Sequence, residues 1–272
     1  MTPAGHALAR ACDRLPATDL EQVMKVADLQ TRIDRKYLLP AADFTTLLDA
    51  MGGELLVLQI DDRRLFDYES VYFDTPGRLA YHQHAHGRRN RFKVRTRTYL
   101  DSAQSVLEVK TEGGRGQTIK DRHPYQVADR RLLTPRGRAI VADALRSRRL
   151  AEDLERTLTT GYQRATLLHP ATGSRITCDV DLTFGDRQHT SRGPDHLILI
   201  ESKTAGAAAP VDARLWRMGH RPVTISKYCA GLALLHPYLP ANRWNRTLRR
   251  HFHWHPDRRL TSPTSGQLSA RR

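Results

Sequence analysis

The sequence predicts an α+β protein whose centre is an antiparallel eight-stranded β-barrel flanked by helices. Eight segments show the alternation of polar and apolar residues that is typical of strands, and most follow one another across short turns. Helical patterns lie between some of these strands, but without the regular strand–helix alternation of a parallel sheet. Charged residues share one face of several strands, which indicates a sheet curved around a charged lumen.

The strands and helices follow in chain order. Strands are predicted over residues 31–40, 65–75, 90–100, 104–112, 118–127, 160–169, 174–184 and 195–203. Helices are predicted over residues 17–29, 41–53, 76–87, 134–154, 211–220 and 226–239. Thr18 and Glu21 form a capping box, and Thr134 and Ser226 stand at helix starts. Residues 113–117 are glycine-rich but lie between two strands, which predicts a hairpin turn and not a phosphate-binding loop.

The amino-acid composition indicates what kind of partner the protein binds more than which fold it adopts. The chain has 272 residues and a formal net charge of +15, which favours an anionic partner: nucleic acid, an acidic membrane or a phosphate-rich substrate. Three scattered cysteines, Cys12, Cys178 and Cys229, form no CxxC motif, which suits a reducing compartment. The N-terminal residues lack the apolar run of a signal peptide, and apolar stretches are too short to span a bilayer. We therefore expect a cytoplasmic protein, able to lie peripherally at the inner face of the membrane.

The charged face is clearest on residues 90–100, where cations occupy every second position. Arg91, Lys93, Arg95 and Arg97 alternate with β-branched or aromatic residues. The same alternation groups Arg32, Asp34 and Lys36; Glu108 and Lys110; Lys120 and Arg122; Arg175, Asp179 and Asp181; and Glu201 and Lys203.

An ordinary solvated sheet face would explain any one of these strands. The pattern recurs on several strands with apolar backs, however, and Glu201 follows a very apolar run, which places it deep in the protein. Buried charges are costly unless they are paired or matched to a ligand. Carboxylates among the cations disfavour nucleic acid, because they repel phosphates, but they suit a site where Mg²⁺ or Mn²⁺ handles a phosphoanhydride. An enzyme and a non-catalytic anion-binding module both remain open.

Eight short motifs in order resemble the VTC domain, the polyphosphate polymerase domain of the CYTH or triphosphate tunnel metalloenzyme superfamily. They are RIDRKYLL, YFDTP, RRNRFKVRTRTY, LEVKT, GYQRATL, SRITCDVDL, LIESK and SKYCAG. The resemblance covers roughly residues 28–240. It implies a tunnel of eight antiparallel strands and transfer of the γ-phosphate of ATP to a growing polyphosphate chain, with Mn²⁺ or Mg²⁺.

The resemblance also implies roles for individual residues. The catalytic cations would be Lys36, Arg95, Arg97, Lys110 and Lys227. Phosphate would be bound by Lys120, Arg164, Arg175, Lys203 and Ser226. Glu201 would hold the metal, with Glu108 as a second candidate ligand. The partners would be ATP and inorganic polyphosphate, and a separate membrane protein is a further candidate.

The sequence departs from the family pattern at two places. Other branches of the superfamily carry Glu-x-Glu-x-Lys on the first strand, where this chain has Arg32, Asp34 and Lys36; this argues against an adenylyl cyclase or thiamine triphosphatase. Thr224 stands where the polymerase pattern favours lysine, which leaves a tunnel triphosphatase or polyphosphatase open as alternatives. Nothing resembles the SPX sensor domain, so we expect regulation to come from another protein. The expected division is a helical segment 1–27, the tunnel domain 28–240 and a basic, partly disordered tail 241–272.

Overall fold

The computed structural model describes residues 1–27, 33–112, 118–204 and 206–257. Arg32, the glycine-rich turn at 113–117 and the end of the tail lie outside the described residues. The strands are β1 Ala17–Thr18, β2 Ile33–Pro40, β3 Leu56–Leu58, β4 Phe66–Asp74, β5 Arg91–Tyr99, β6 Gln104–Glu112, β7 Thr118–Tyr125, β8 Glu155–His169, β9 Ser174–Gly185, β10 Thr190–Arg192 and β11 Leu197–Thr204. The helices are α1 Pro3–Asp13, α2 Leu20–Ala27, α3 Ala41–Ala50, α4 Leu79–Ala85, α5 Pro135–Leu145, α6 Arg148–Asp153, α7 Pro210–Arg217, α8 Lys227–Leu235 and α9 Asn245–Phe252.

Eight strands form one continuous antiparallel path in the order β2-β11-β9-β8-β4-β5-β6-β7, which confirms the predicted sheet. The described residues of β2 and β7 do not pair, so the sheet is curled and its ring of hydrogen bonds is incomplete. Burial and then the positive charge of Lys36 lower the pKa of Lys110, although β2 and β6 are far apart in the strand order. The curl therefore brings the two edges of the sheet towards each other.

The outer face of the sheet is covered by two apolar clusters. Helices α1, α3 and α7 pack over β2, β11, β9 and β8, with Tyr37, Ile176 and Ile200 in the cluster. Helices α5 and α6 pack over β4, β5 and β6, where Phe92 and Leu107 are buried. These residues are the apolar partners in the predicted alternation, so burial of one face orients the charged residues towards the other.

A third apolar cluster lies on the inner, concave face. Leu38 lies two residues after Lys36 on β2, and Leu199 lies two residues before Glu201 on β11, so each shares the face of its charged neighbour. Helices α4 and α8 pack against this cluster. The segment after residue 240 joins this cluster, and the Trp254 indole N–H donates to the Ala233 carbonyl at 2.8 Å. Residues 241–257 therefore pack on the body, whereas the predicted domain boundaries stay predictions.

Three local features differ from the sequence-based prediction. Residues 134–154 form two helices, because Arg146 adopts the left-handed region at φ 51° and Ser147 caps the next helix. Thr18 lies in β1, and the side chain of Asp19 accepts the Gln22 N–H in its place. Helix α1 lies within the predicted helical segment 1–27 but was given no bounds; Thr2 caps it by accepting the Gly5 N–H.

The prediction that Asp181 shares the lumen face of β9 is wrong. The pairing of β8 with β9 shifts register between Gly161 and Gln163, and Asp181 takes a positive φ of 55° at this irregularity. Its carboxylate accepts the Thr2 backbone N–H at 3.0 Å, next to α1 on the outer face. The bulge reverses the alternation, because an extra residue exchanges the two faces of a strand.

Candidate active site

The concave face of the sheet, with the start of α8, forms a charged surface that we call the lumen. Its cations are Lys36, Arg91, Lys93, Arg95, Arg97, Lys110, Lys120, Arg122, Arg164, Arg175, Lys203 and Lys227. Its carboxylates are Asp34, Glu108, Glu112, Asp179 and Glu201. Cations outnumber carboxylates, so the lumen has the electrostatic character of a polyanion site.

Glu108 is the centre of the first cluster. Its Oε2 accepts Arg95 Nε at 2.7 Å and lies 3.8 Å from Arg97, while its Oε1 lies 2.8 Å from Lys120 Nζ. Burial alone would raise the pKa of Glu108, but Arg95 and Lys120 outweigh it and hold the pKa at about 2. Glu108 therefore stays ionised and fixes the positions of these cations.

Asp179 is the centre of the second cluster and is fully buried. The Arg164 guanidinium binds both of its oxygens, at 2.6 and 2.8 Å, and the Lys227 ammonium contacts Oδ2. Arg164 also lies over the ring of Tyr162, 5.2 Å from its centroid. Burial raises the pKa of Asp179, but the charges of Arg164 and Lys227 lower it further, so the carboxylate is ionised. This ion cluster ties the first turn of α8 to the sheet.

Glu201 is the centre of the third cluster. Its Oε1 lies 2.7 Å from Lys203 Nζ and 3.6 Å from Lys36 Nζ. Although burial opposes ionisation, Lys203 and Lys36 hold the pKa of Glu201 well below its usual range. Its Oε2 takes part in no ion pair with a described residue.

Lys93 and Lys110 are two lumen lysines that form no ion pair with a described carboxylate. They face each other in register on β5 and β6, and neither ammonium lies within ion-pair distance of a carboxylate in the described part of the chain. Burial lowers the pKa of Lys93 to about 8, and the charges of Lys110 and Lys36 add to this. Arg97 Nε and the Tyr162 hydroxyl are also buried without a hydrogen-bond partner among described residues. The lumen thus contains donors that an anionic ligand would satisfy.

Most of the predicted site residues therefore fall into three groups, around Glu108, Glu201 and Asp179. The structure brings Arg95, Arg97 and Lys120 to Glu108; Lys36 and Lys203 to Glu201; and Arg164 and Lys227 to Asp179. Arg175 lies on β9 opposite Lys203 of β11. Lys93 and Asp179 were not predicted as site residues; their alternation with Arg95 and Arg175 was the signal that could have found them.

Ser226 stands at the N-cap of α8, as predicted. Its Oγ accepts the Cys229 N–H at 3.2 Å, so the hydroxyl orders the first turn next to Lys227. The hydroxyl hydrogen is not used by this bond and remains able to donate to a phosphate oxygen. Thr224, two residues earlier, is exposed.

The two predicted metal ligands lie in separate clusters. Both oxygens of Glu108 face cations, whereas Glu201 has one oxygen outside its ion pairs. Mg²⁺ and Mn²⁺ need few protein ligands when substrate phosphates and water complete their coordination. The second oxygen of Glu201 would therefore be available to such an ion, whereas Glu108 offers no oxygen without a neighbouring cation.

Asp186, His189 and His236 were missed by the sequence reasoning. Among the described residues they alone form a group of three potential ligands whose donor atoms all lie within 4.8 Å of one another. Asp186 Oδ2 lies 2.8 Å from His236 Nε2, and Arg78 Nη2 lies 3.1 Å from the same nitrogen. Since His236 Nε2 is already in hydrogen-bond contact with Asp186 and Arg78, we interpret this group as a hydrogen-bonded network joining α4, α8 and the β9–β10 turn.

A family model for the VTC domain matches residues 31–236, and the chain belongs to this family. No curated protein matches the chain. Among solved structures, a proposed adenylate cyclase from Bacillus halodurans is 15% identical, with 72% of this chain and 94% of that chain covered and a TM-score of 0.47. A Hippeastrum adenylyl cyclase candidate described as having a dominant triphosphatase activity is 16% identical, covering 75% and 96% of the two chains at a TM-score of 0.44.

The PH1012 protein from Pyrococcus horikoshii is 11% identical, covering 70% of this chain and 90% of that chain, with a TM-score of 0.39. At these TM-scores the likenesses carry no conclusion about activity. No helix in the described ranges has both the length and the apolar composition needed to cross a membrane.

Proposed function

We propose that the protein is a metal-dependent polyphosphate polymerase that transfers the γ-phosphate of ATP to a polyphosphate chain inside the lumen. Membership of the VTC family supports a phosphoanhydride substrate. The observation that carries the proposal is the opposed pair Lys93 and Lys110, whose charges also lie close to that of Lys36. Like charges placed opposite each other destabilise a sheet, and a polyanion between them would remove that cost.

The reaction needs no protein nucleophile. A terminal oxygen of the chain attacks the γ-phosphorus of ATP, a new P–O–P bond forms, and the bond from the γ-phosphorus to the β–γ bridging oxygen breaks, releasing ADP. The protein aligns the two reactants and neutralises charge that develops on the transferred group and on ADP. When bound at Glu201, Mn²⁺ or Mg²⁺ supplies further charge neutralisation on the phosphate oxygens.

We propose that the cations bind different parts of the substrate, according to whether a carboxylate already holds them. Lys93 and Lys110, which form no ion pair with a described carboxylate, would hold the transferred phosphate. Lys36 and the buried Nε of Arg97 would contribute to the same position. The cations already fixed by carboxylates would form a preorganised wall for the rest of the triphosphate: Arg95, Lys120, Arg164, Lys203 and Lys227. Arg175 and Ser226 would bind phosphate at the two sides of this wall.

The test is incubation of the purified protein with ATP and Mn²⁺, with and without a short polyphosphate primer. Products are separated on a polyphosphate gel and free phosphate is measured in parallel. We expect long chains from the wild type and none from Glu201→Gln, which removes the metal ligand. Glu21→Gln, at an exposed position on α2, is the matched control and should leave synthesis unchanged.

Measuring the affinity for tripolyphosphate distinguishes the polymerase from a tunnel hydrolase and from a non-catalytic binding module. Glu201→Gln should bind tripolyphosphate at least as tightly as wild type, since the lumen loses one negative charge. Free phosphate without chains would replace the proposal by a tunnel hydrolase, and restoring lysine at Thr224 would be the next variant. Tight binding without either product would identify a non-catalytic polyphosphate-binding module.

Location and partners belong to the same proposal. We infer a cytoplasmic protein that acts at the inner face of the membrane with a separate membrane protein, because a charged product cannot cross a bilayer unaided. Co-purification of the tagged full chain from detergent-treated membranes tests this, and recovery from the cytosolic fraction alone would contradict the membrane partner.

A further inference from the structure

We propose that a basic ridge outside the lumen binds the part of a long polyphosphate chain that extends beyond the active site. The ridge consists of Arg88, Arg89, Arg243, Arg246, Arg249 and Arg250. All six are exposed, and none forms an ion pair with a described residue. This inference rests on the proposed function and adds a second, chain-length-dependent site to it.

The sequence concentrates positive charge in the two segments that build the ridge. Residues 75–100 contain seven Arg or Lys and no Asp or Glu, and residues 213–256 contain eight Arg or Lys and no Asp or Glu. Solvated helix faces usually mix charges of both signs, because opposite charges three or four residues apart stabilise a helix. The lack of any carboxylate in both segments leaves their positive charge uncompensated, which favours an anionic partner.

The fold brings the two segments together. The side chain of Arg243 approaches the position that a Cβ would occupy on Gly87, at 3.9 Å, so the start of the C-terminal segment touches the α4–β5 loop. This loop carries Arg88 and Arg89, and its next strand begins with Arg91, whose guanidinium donates to the Arg88 carbonyl at 2.8 Å.

The ridge is continuous with the lumen through β5. Arg91 is the first residue of that strand and Lys93 follows on the same face. Burial raises the pKa of the Cys229 thiol on α8, and the charges of Lys93 and Arg243 both oppose this rise, so both cations lie near this helix. Arg91 and Lys93 therefore connect the α4–β5 loop, which Arg243 contacts at Gly87, to the lumen.

Helix α9 extends the ridge outward. Leu248 is buried against the inner cluster, whereas Arg246, Arg249 and Arg250 are exposed at helical spacing on the opposite side. Like charges at this spacing weaken a helix, and a linear polyanion lying across them would offset the repulsion. The ligand that fits the ridge is a flexible run of phosphates without bases or sugars. Single-stranded nucleic acids stack their bases on aromatic rings, and the ridge combines its arginines with few exposed rings of this kind.

The test compares tripolyphosphate with a polyphosphate many times longer, using calorimetry on the full chain. The variant replaces Arg246, Arg249 and Arg250 by Gln, which keeps helix propensity. The matched control replaces Arg10, Arg136 and Arg149 by Gln; these are exposed on α1, α5 and α6 and form no ion pair with a described residue. Thermal unfolding of each variant confirms folding.

We expect the ridge variant to bind tripolyphosphate as wild type does, but to bind the long chain about tenfold more weakly. The slope of log affinity for the long chain against log salt concentration should also become shallower by about 2. Each of the three lost phosphate contacts removes about 0.7 from this slope. The control variant should change neither the affinity for the long chain nor its salt dependence.

Unchanged affinity of the ridge variant for the long chain would overturn the inference. Equal affinity of the wild type for tripolyphosphate and for the long chain would also overturn it. If the ridge variant lost affinity for RNA or for anionic vesicles but kept its affinity for long polyphosphate, the inference would be overturned, and the ridge would be assigned to RNA or to the membrane instead. Failure of wild type to bind tripolyphosphate would instead remove the proposed function.

Discussion

Lys93 and Lys110 occupy directly opposed positions on β5 and β6, with both side chains in the lumen and no described carboxylate at ion-pair distance from either. Directly opposite like charges destabilise a strand pair. The neighbouring rows do not share this feature, because Arg95 faces Glu108 and Arg91 faces Glu112. The unfavourable pair therefore marks the position where the protein needs an external anion.

Replacing both lysines by methionine should separate stability from binding. Without ligand, Lys93→Met/Lys110→Met should raise the free energy of unfolding by about 1 kcal/mol, because repulsion and burial of charge are removed. Affinity for tripolyphosphate should fall at least about tenfold. Urea unfolding and calorimetry measure the two effects. A destabilised variant that retains full affinity would show that the lysines serve the fold alone.

The pKa of Lys93 predicts how stability and binding vary with pH. Burial lowers this pKa from 10.5 to about 8, so between these values the unfolded chain binds more protons than the folded chain, and ligand-free stability rises with pH. Anion binding favours the charged ammonium, so affinity should fall as the pH rises through about 8 and binding should take up protons there.

Calorimetry in two buffers of different protonation enthalpy measures that proton uptake. Lys93→Arg keeps the charge over this range and should reduce the uptake; Lys203, whose pKa burial also lowers to about 8, should supply the remainder. The same uptake in wild type and Lys93→Arg would show that Lys93 does not contact the ligand.

Glu108 should contribute to stability, in contrast to the opposed lysines. Glu108→Gln leaves the charges of Arg95 and Lys120 without their carboxylate, so the free energy of unfolding should fall by about 3 kcal/mol. Added tripolyphosphate should recover part of the loss by binding the same cations. Glu112→Gln, on the same strand, is the control and should cost less than about 1 kcal/mol, because among the described residues Glu112 forms an ion pair only with Arg91 and is more exposed than Glu108. Equal losses in the two variants would exclude a central role for Glu108.

Ser226 can be tested for its two tasks with two substitutions. Ser226→Ala loses the helix cap, at a cost of about 1 kcal/mol, and should lower tripolyphosphate affinity several-fold. Ser226→Asp retains a cap but brings a negative charge to the anion site, so stability should recover while affinity falls further. Wild-type affinity in the aspartate variant would remove Ser226 from the phosphate site.

The strands and their charged faces could be predicted from the sequence because alternation with period two is a local signal. Residues 104–112 and 90–100 show this, since burial keeps Leu107 and Val94 on the outer face and leaves Glu108 and Arg95 in the lumen. Nothing comparable signals Asp181 or Arg146, where a non-glycine residue adopts a left-handed backbone and reverses a strand face or ends a helix.

The grouping of the cations could not be predicted, because it depends on register and on the curl of the sheet. Arg164 and Lys227 were expected to contact phosphate, but the fold gives both a buried partner in Asp179. Lys93 lies in the same alternation as Arg95, yet only the cross-strand register shows that it faces another lysine.

The most direct measurement follows ATP labelled at the γ-phosphate in the presence of Mn²⁺ and a tripolyphosphate primer. The wild type should transfer label into chains longer than the primer, and Lys93→Met/Lys110→Met should transfer none while remaining folded. Label found only in free phosphate, or equal chain labelling by the two proteins, would contradict a polymerase centred on the opposed lysines.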